Sequence, residues 1–177
     1  RLVYPQKDDK ILTDWNGLMI SALSIAGRIL NEPIYLKAAK KSVDFIFSHL
    51  LDDKKRLLHR YRNGKAEINA YVNDYAFLIW GLIELYQSTF NIEYLEKAIN
   101  LNEFLIDHFW DNQIGGFYFT PDYGEELIVR QKEIYDGAIP SGNSVAMLNL
   151  LKLSYITGEP ELERKADLLS RTFAQNV

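Results

Sequence analysis

Apolar residues recur at helical spacing in paired stretches, and the two members of each pair differ in kind. Residues 74–86, DYAFLIWGLIELY, are apolar nearly all round, with Glu84 as the interior exception. Residues 16–30 and 144–155 read the same way, and a helix apolar on every side is buried on every side. The partner stretches are one-sided instead. In the second pair Ile92, Leu95, Ile99 and Phe109 oppose Glu93, Glu96, Lys97, Glu103 and Asp107. This predicts an inner layer of helices wrapped by an outer one. Short turns, LNEPIY, TFNIEY and TGEPEL, join each pair, and Pro33 and Pro160 stand where a first helical turn accepts proline.

The pairs are repeats. Residues 13–52 align with residues 72–111 without a gap, keeping Ile20/Ile79, Leu23/Leu82, Tyr35/Tyr94, Leu36/Leu95, Ala39/Ala98, Phe45/Phe104, His49/His108 and Asp52/Asp111. A looser third copy spans about 140–176, with Ala166 in the place of Ala39 and Ala98. The connections between pairs have strand character. LLHRYRNGKAEI carries the Asn63-Gly64 signal of a type I′ hairpin. GGFYFTPDYGEELIVRQKEI alternates aromatic and polar residues around a turn. The expected fold is therefore all-α: antiparallel helical hairpins forming about half of an (α/α)6 toroid, with short β-hairpins in the loops. Residues 1–177 are expected to be one domain fragment, because three hairpins make half of a six-hairpin ring and the chain starts at Arg1 without a Met. Half a ring leaves inner faces uncovered, which predicts self-association of the fragment.

Composition narrows the classes. Twenty-four acids against 20 bases argue against a nucleic-acid partner, which needs a basic surface. The longest apolar run, 75–83, is far short of the roughly 20 residues a membrane span needs. With no Cys there is neither a disulfide nor a thiolate nucleophile, which suits a reducing compartment and leads us to expect a cytoplasmic location. No phosphate loop, dinucleotide fingerprint, zinc-protease helix or hydrolase elbow is present, so no cofactor and no metal are expected.

Candidate chemistry gathers where the inner helices begin. These starts read TDWNG, VNDYA and PSGNS, and in parallel inner helices they lie at one mouth of the ring. There Asp14, Asp74 and Asp136 are candidate catalytic carboxylates, the pairing glycoside chemistry uses, and Asp74 is the foremost. Trp15, Asn16, Tyr75, Ser141 and Asn143 are candidate sugar contacts, as are Arg130, Lys132, His59 and Arg60 from the connections. Tyr71 and Tyr118 are further rings able to stack on a sugar. A plainer reading stands beside this one: Thr13, Asp14, Asn73 and Ser141 are ordinary helix caps, Asp136-Gly137 is an ordinary turn, the rings of Trp15, Tyr71, Tyr75 and Tyr118 pack in the core, and Arg60, Arg130 and Lys132 pair with nearby acids. His49 and His108 end outer helices and read as structural.

Four segments, DDKILTDWNGLMISA, NDYAFLIWGLIELYQST, GGFYFT and RQKEIYDGAIPSGNS, together resemble the C-terminal region of the YyaL-like, spermatogenesis-associated proteins that contain a thioredoxin domain. The resemblance implies a six-hairpin glycosidase-like toroid that follows a thioredoxin-like domain lying outside this sequence. It supplies no settled reaction and no catalytic assignments. The fold it implies is shared with sugar epimerases and glycosidases. Sugar 2-epimerases use a pair of His, and His59 is the one candidate here, which counts against that chemistry. Two functions remain open at this point: a carbohydrate-active toroid, hydrolase-like or isomerase-like, that takes a sugar ligand, or a non-catalytic scaffold for the thioredoxin-like domain.

Overall fold

The computed structural model describes residues 3–5, 7–125 and 128–174. Three helical hairpins follow one another: α1 (Thr13–Ile29) with α2 (Pro33–His49), α3 (Val72–Thr89) with α4 (Ile92–Phe109), and α5 (Gly142–Thr157) with α6 (Pro160–Ala174). Inner helices α1, α3 and α5 pack side by side in that order, and each carries its own outer helix. Pro33 and Pro160 both open outer helices.

Burial follows position in the arc. α3 lies between α1 and α5 and is buried on nearly every side, with Phe77, Leu78, Ile79, Leu82 and Ile83 wholly enclosed. Each such side chain contributes about 1.5–3 kcal/mol on leaving water. The expectation that α1 and α5 are buried all round is corrected. α1 exposes Trp15, Met19 and Ile29 along one side, and α5 exposes Leu148, Leu151 and Tyr155. Among the described residues each has an inner neighbour on one flank only.

Backbones meet directly where α1 crosses α3. A Cβ added at Gly17 would sit 2.5 Å from the carbonyl carbon of Phe77, and one at Gly81 would sit 2.9 Å from the carbonyl oxygen of Gly17. Further along, the single carboxylate of Glu84 joins all three inner helices. It accepts from Arg28 of α1 at 3.1 Å and from Lys152 of α5. The Asn149 amide donates to the Ala76 carbonyl at 2.7 Å and ties α5 to α3 again.

The repeat is visible in the turns as well. Asp52 and Asp111 each accept two backbone N–H groups of the following turn on one oxygen. The other oxygen takes a cation, Arg56 or Lys132, each at 2.7 Å. His49 packs with Phe45 and Tyr61, and His108 packs with Phe104 and Tyr123.

The first connection forms the expected hairpin. β2 (Leu58–Arg62) and β3 (Lys65–Asn69) pair antiparallel, and Asn63 and Gly64 both take positive φ, as a type I′ turn requires. β1 (Ile11–Leu12) adds a third strand beside β2 and leads straight into α1. The second connection departs from the expectation. Among its described residues it forms no strand, only a bridge between Trp110 and Phe117. Gly115 and Gly116 both stand at left-handed φ, and the segment is then held by side chains rather than by a ladder. Arg130 donates to the Thr120 and His108 carbonyls, and Asn143 clasps the Phe117 backbone. Among the described residues, no helix is long and apolar enough to cross a membrane.

Candidate active site

At the mouth end of the arc the first repeat and the hairpin converge on Asp74, at the third position of α3. Its carboxylate is wholly buried. One oxygen accepts the Asp14 backbone N–H at 2.9 Å, and the other accepts the Tyr71 backbone N–H at 2.8 Å. The imidazole Nδ1 of His59, from β2, lies 3.0 Å from both oxygens. Asp74 thus anchors three pieces of chain at once: the first turn of α1, the entry to α3, and the hairpin. Two backbone N–H groups and the His59 ring therefore hold the Asp74 carboxylate in one orientation.

Asp14 completes the cluster. It is 8% exposed, and its Oδ1 accepts the Trp15 backbone N–H at 2.7 Å. Ligand-capable atoms of Asp14, His59 and Asp74 all lie within 4.8 Å of one another. The electrostatics separate the two outer members. Burial, and next the negative charge of Asp74, push the Asp14 carboxyl above its ordinary 3.8. The hydrogen bond to Asp74 holds the His59 imidazolium and raises it above 6.5, against a smaller opposing effect of burial. The same three side chains have the donor types of a small metal site. Each Asp74 oxygen gives one lone pair to a backbone N–H and keeps another toward the His59 Nδ1, where a proton bridges the pair.

Other sequence candidates fall in different places. Trp15 is 63% exposed, beside Asp14, and is free to stack on a ligand. The Asn16 amide turns back to the Leu12 carbonyl at 2.8 Å. Arg60 pairs with Glu67 on the neighbouring strand at 2.6 Å. Tyr75 is buried, stacked on Phe104, and its hydroxyl accepts the Leu57 N–H at 3.1 Å. Burial holds that phenol well above its usual range. Arg130 lies over the Tyr118 ring, and Lys132 pairs with Asp111. Asn143 spends its amide on the Phe117 and Glu133 carbonyls and its oxygen on the Phe117 N–H. Asp136 accepts from the Ser141 N–H and the Ser144 hydroxyl, both at 2.8 Å, and so braces the start of α5. Those two bonds, led by the backbone one, lower its pKa.

Capping explains less than the residue types suggest. Ser141 caps α5 by accepting from the Ser144 N–H at 3.1 Å. The Thr13 hydroxyl donates instead to Leu58 in the hairpin, and Asp14 lies within the first turn of α1. Lys132 thus pairs with an acid, as the plainer reading has it, and the equivalence of Asp111 to Asp52 in the repeat was the signal that could have named which one.

Comparison with known proteins bears on the fold and the family of the chain. No protein-family model matches the chain. It is 32% identical over 180 residues to rat spermatogenesis-associated protein 20, which covers 96% of this chain and 23% of the relative. The chain thus spans about a quarter of the length of the curated relatives it matches. Over 97 residues, 55% of the chain, it is 33% identical to a cellobiose 2-epimerase of Bacteroides fragilis, 23% of which is covered. Among solved structures it superposes on a family 76 α-mannanase of Bacteroides thetaiotaomicron with a TM-score of 0.80 at 18% identity, covering 98% of this chain and 47% of that one. Its fold is that of part of an (α/α)6 toroid, and the chain belongs to the family of spermatogenesis-associated protein 20.

Proposed function

We propose that the protein is a carbohydrate-active toroid that moves protons on a sugar, as an isomerase-like enzyme, at Asp14 and His59. The observation that carries this is the buried Asp74 carboxylate, held by two backbone N–H groups and against His59 beside a second carboxyl. Glycoside hydrolysis needs two working carboxyls, whereas here one of the pair is already committed. Pairing with Asp74 favours the His59 imidazolium, and Asp14 beside it is the second carboxyl. An ionised Asp14 and a protonated His59 are a ready base and acid. Asp14 takes the proton from the carbon next to the sugar carbonyl while His59 gives one to the carbonyl oxygen, and the resulting enediol collapses to the isomer as His59 takes the proton of the neighbouring hydroxyl and Asp14 returns its proton to the former carbonyl carbon. One His and one carboxylate serve where a sugar 2-epimerase employs two His. The likeness to a cellobiose 2-epimerase supports proton transfer, and the exposed Trp15 supports a sugar ring at the mouth.

The remainder of the ring belongs to the same proposal. The apolar flanks given by Met19 and Ile29 on α1 and by Leu148, Leu151 and Tyr155 on α5, away from Trp15 at the mouth, are faces on which further hairpins of the longer protein pack. Full-length protein incubated with D-mannose or cellobiose in D2O is expected to exchange the proton at C2, read by NMR. Asp14→Asn is expected to slow exchange by about 10²–10⁴-fold. Exchange no faster than in buffer for both sugars overturns the proposal.

A further inference from the structure

Directly across the hairpin from His59 the ladder is interrupted. β2 and β3 pair Leu58 with Asn69 and Arg60 with Glu67, so His59 faces Ile68, and that pair is missing from the register. Ile68 stands at φ 70, a left-handed conformation that a β-branched residue rarely adopts. Such strain persists where the surroundings impose it, and it concentrates at ligand sites. Ile68 also remains 43% exposed, on the wall of a pocket of about 320 Å³. Asn69, Tyr71, Pro121, Gly124 and Glu125 complete most of the lining. This volume falls at the lower end of small-molecule sites, which run from about 300 to 1,000 Å³.

The pocket adjoins the acid–base cluster. Tyr71 stands between them, edge-on to His59 with ring centroids 5.2 Å apart and stacked on Phe119 at 4.7 Å. Its walls are fixed before any ligand arrives. The Tyr71 N–H is held by Asp74, the Val72 N–H by the Phe119 carbonyl at 3.0 Å, and the Phe119 N–H by Gln131 at 2.7 Å. The chemistry of the lining is specific as well. Ile68 and Pro121 offer apolar surface. The side chains of Asn69 and Glu125 have no partner among the described residues and offer donors and acceptors. Among the described residues no Lys or Arg lines the pocket, and Glu125 disfavours an anion. An uncharged ring with one C–H face and a rim of hydroxyls matches that surface.

We propose that the pocket between the hairpin and the 120–125 turn is a subsite for a second, uncharged sugar unit, attached to the unit that reacts at Asp14 and His59. This rests on the proton-transfer reading, and the two separate in the experiment. Gly124 is the handle: a Cβ there meets nothing nearer than the Asn69 amide at 3.7 Å, so Gly124→Leu fills the pocket without straining the backbone. The full-length parent and variant are titrated calorimetrically with cellobiose and α-1,6-mannobiose, and with glucose and mannose. The parent is expected to bind one disaccharide at least tenfold more tightly than its monosaccharide. Gly124→Leu is expected to erase that preference while leaving monosaccharide affinity and C2 deuterium exchange unchanged. Asn69→Ala, which adds no bulk, is expected to lower disaccharide affinity severalfold.

A preference that survives Gly124→Leu overturns the subsite and leaves the proton-transfer reading standing. Equal binding of mono- and disaccharides by the parent does the same. A parent that binds none of the four sugars overturns both.

Discussion

Two His–Asp pairs in this molecule are nearly identical as pairs and opposite in setting. His59 lies 3.0 Å from Asp74, and His108 lies 2.8 Å from Asp122. The Asp74 side chain is 0% exposed, and that of Asp122 is 51% exposed. Asp74 also receives two backbone N–H groups from two different elements, so its geometry is dictated by the fold. His108 sits instead in an aromatic cluster that the first repeat duplicates around His49. The contrast teaches that a pair acquires chemistry from its enclosure. A solvated pair is screened and mobile, whereas an enclosed one keeps its charge and direction.

Removing each carboxylate breaks the comparison most sharply. Asp74→Ala leaves buried N–H groups of Asp14 and Tyr71 without acceptors and is expected to cost about 3–5 kcal/mol in denaturant unfolding. Asp122→Ala is expected to cost less than about 1 kcal/mol. Equal losses would mean that enclosure contributes nothing. Next in size is Gly17→Ala, which drives a methyl into the Phe77–Leu78 peptide and separates α1 from α3. About 1–3 kcal/mol is expected. Because α1 carries Asp14, C2 exchange should fall with it, while the His108 ring signals stay in place by NMR.

The smallest effect is a titration. The His59 midpoint is expected above 6.5 and should fall on Asp74→Asn. The sign of the linked stability follows from a folded pKa above the unfolded one. The His59 contribution is complete below about 6.5 and fades as pH rises through the folded midpoint. An unchanged midpoint in Asp74→Asn contradicts the pairing.

Much of the fold was legible because the repeat spells it twice. Ala39/Ala98 and Phe45/Phe104 mark matching outer helices, and one-sided against all-round apolar patterns separated outer from inner layers. The candidate site was legible in part. Asp74 stood out between Asn73 and Tyr75 at the head of the most apolar stretch, and it is the residue on which the cluster turns. Side-chain direction was not legible. Tyr75 and Asn143 share the helix-start position with Asn16, yet both point into the core, because a full helical turn of neighbours decides which side faces inward. The left-handed Ile68 carried no signal at all, since no residue type announces a strain imposed from outside. The flanks of α1 and α5 hid for another reason: an apolar pattern says that a face is covered, and not by which chain.

Glu84 has a consequence for how such rings can be assembled and cut. Its carboxylate sits on the central inner helix, with one cation arriving from each neighbour. A hairpin that detaches on either side strips one counter-charge from an acid that is only 3% exposed, and the other hairpin feels the loss. Linear repeat arrays fray from their ends because each unit answers only to the next. Here the two flanking hairpins answer to each other through a charge that belongs to neither. This stretch of the toroid should therefore melt as one unit, and trimming a hairpin from either side should unsettle the far side too.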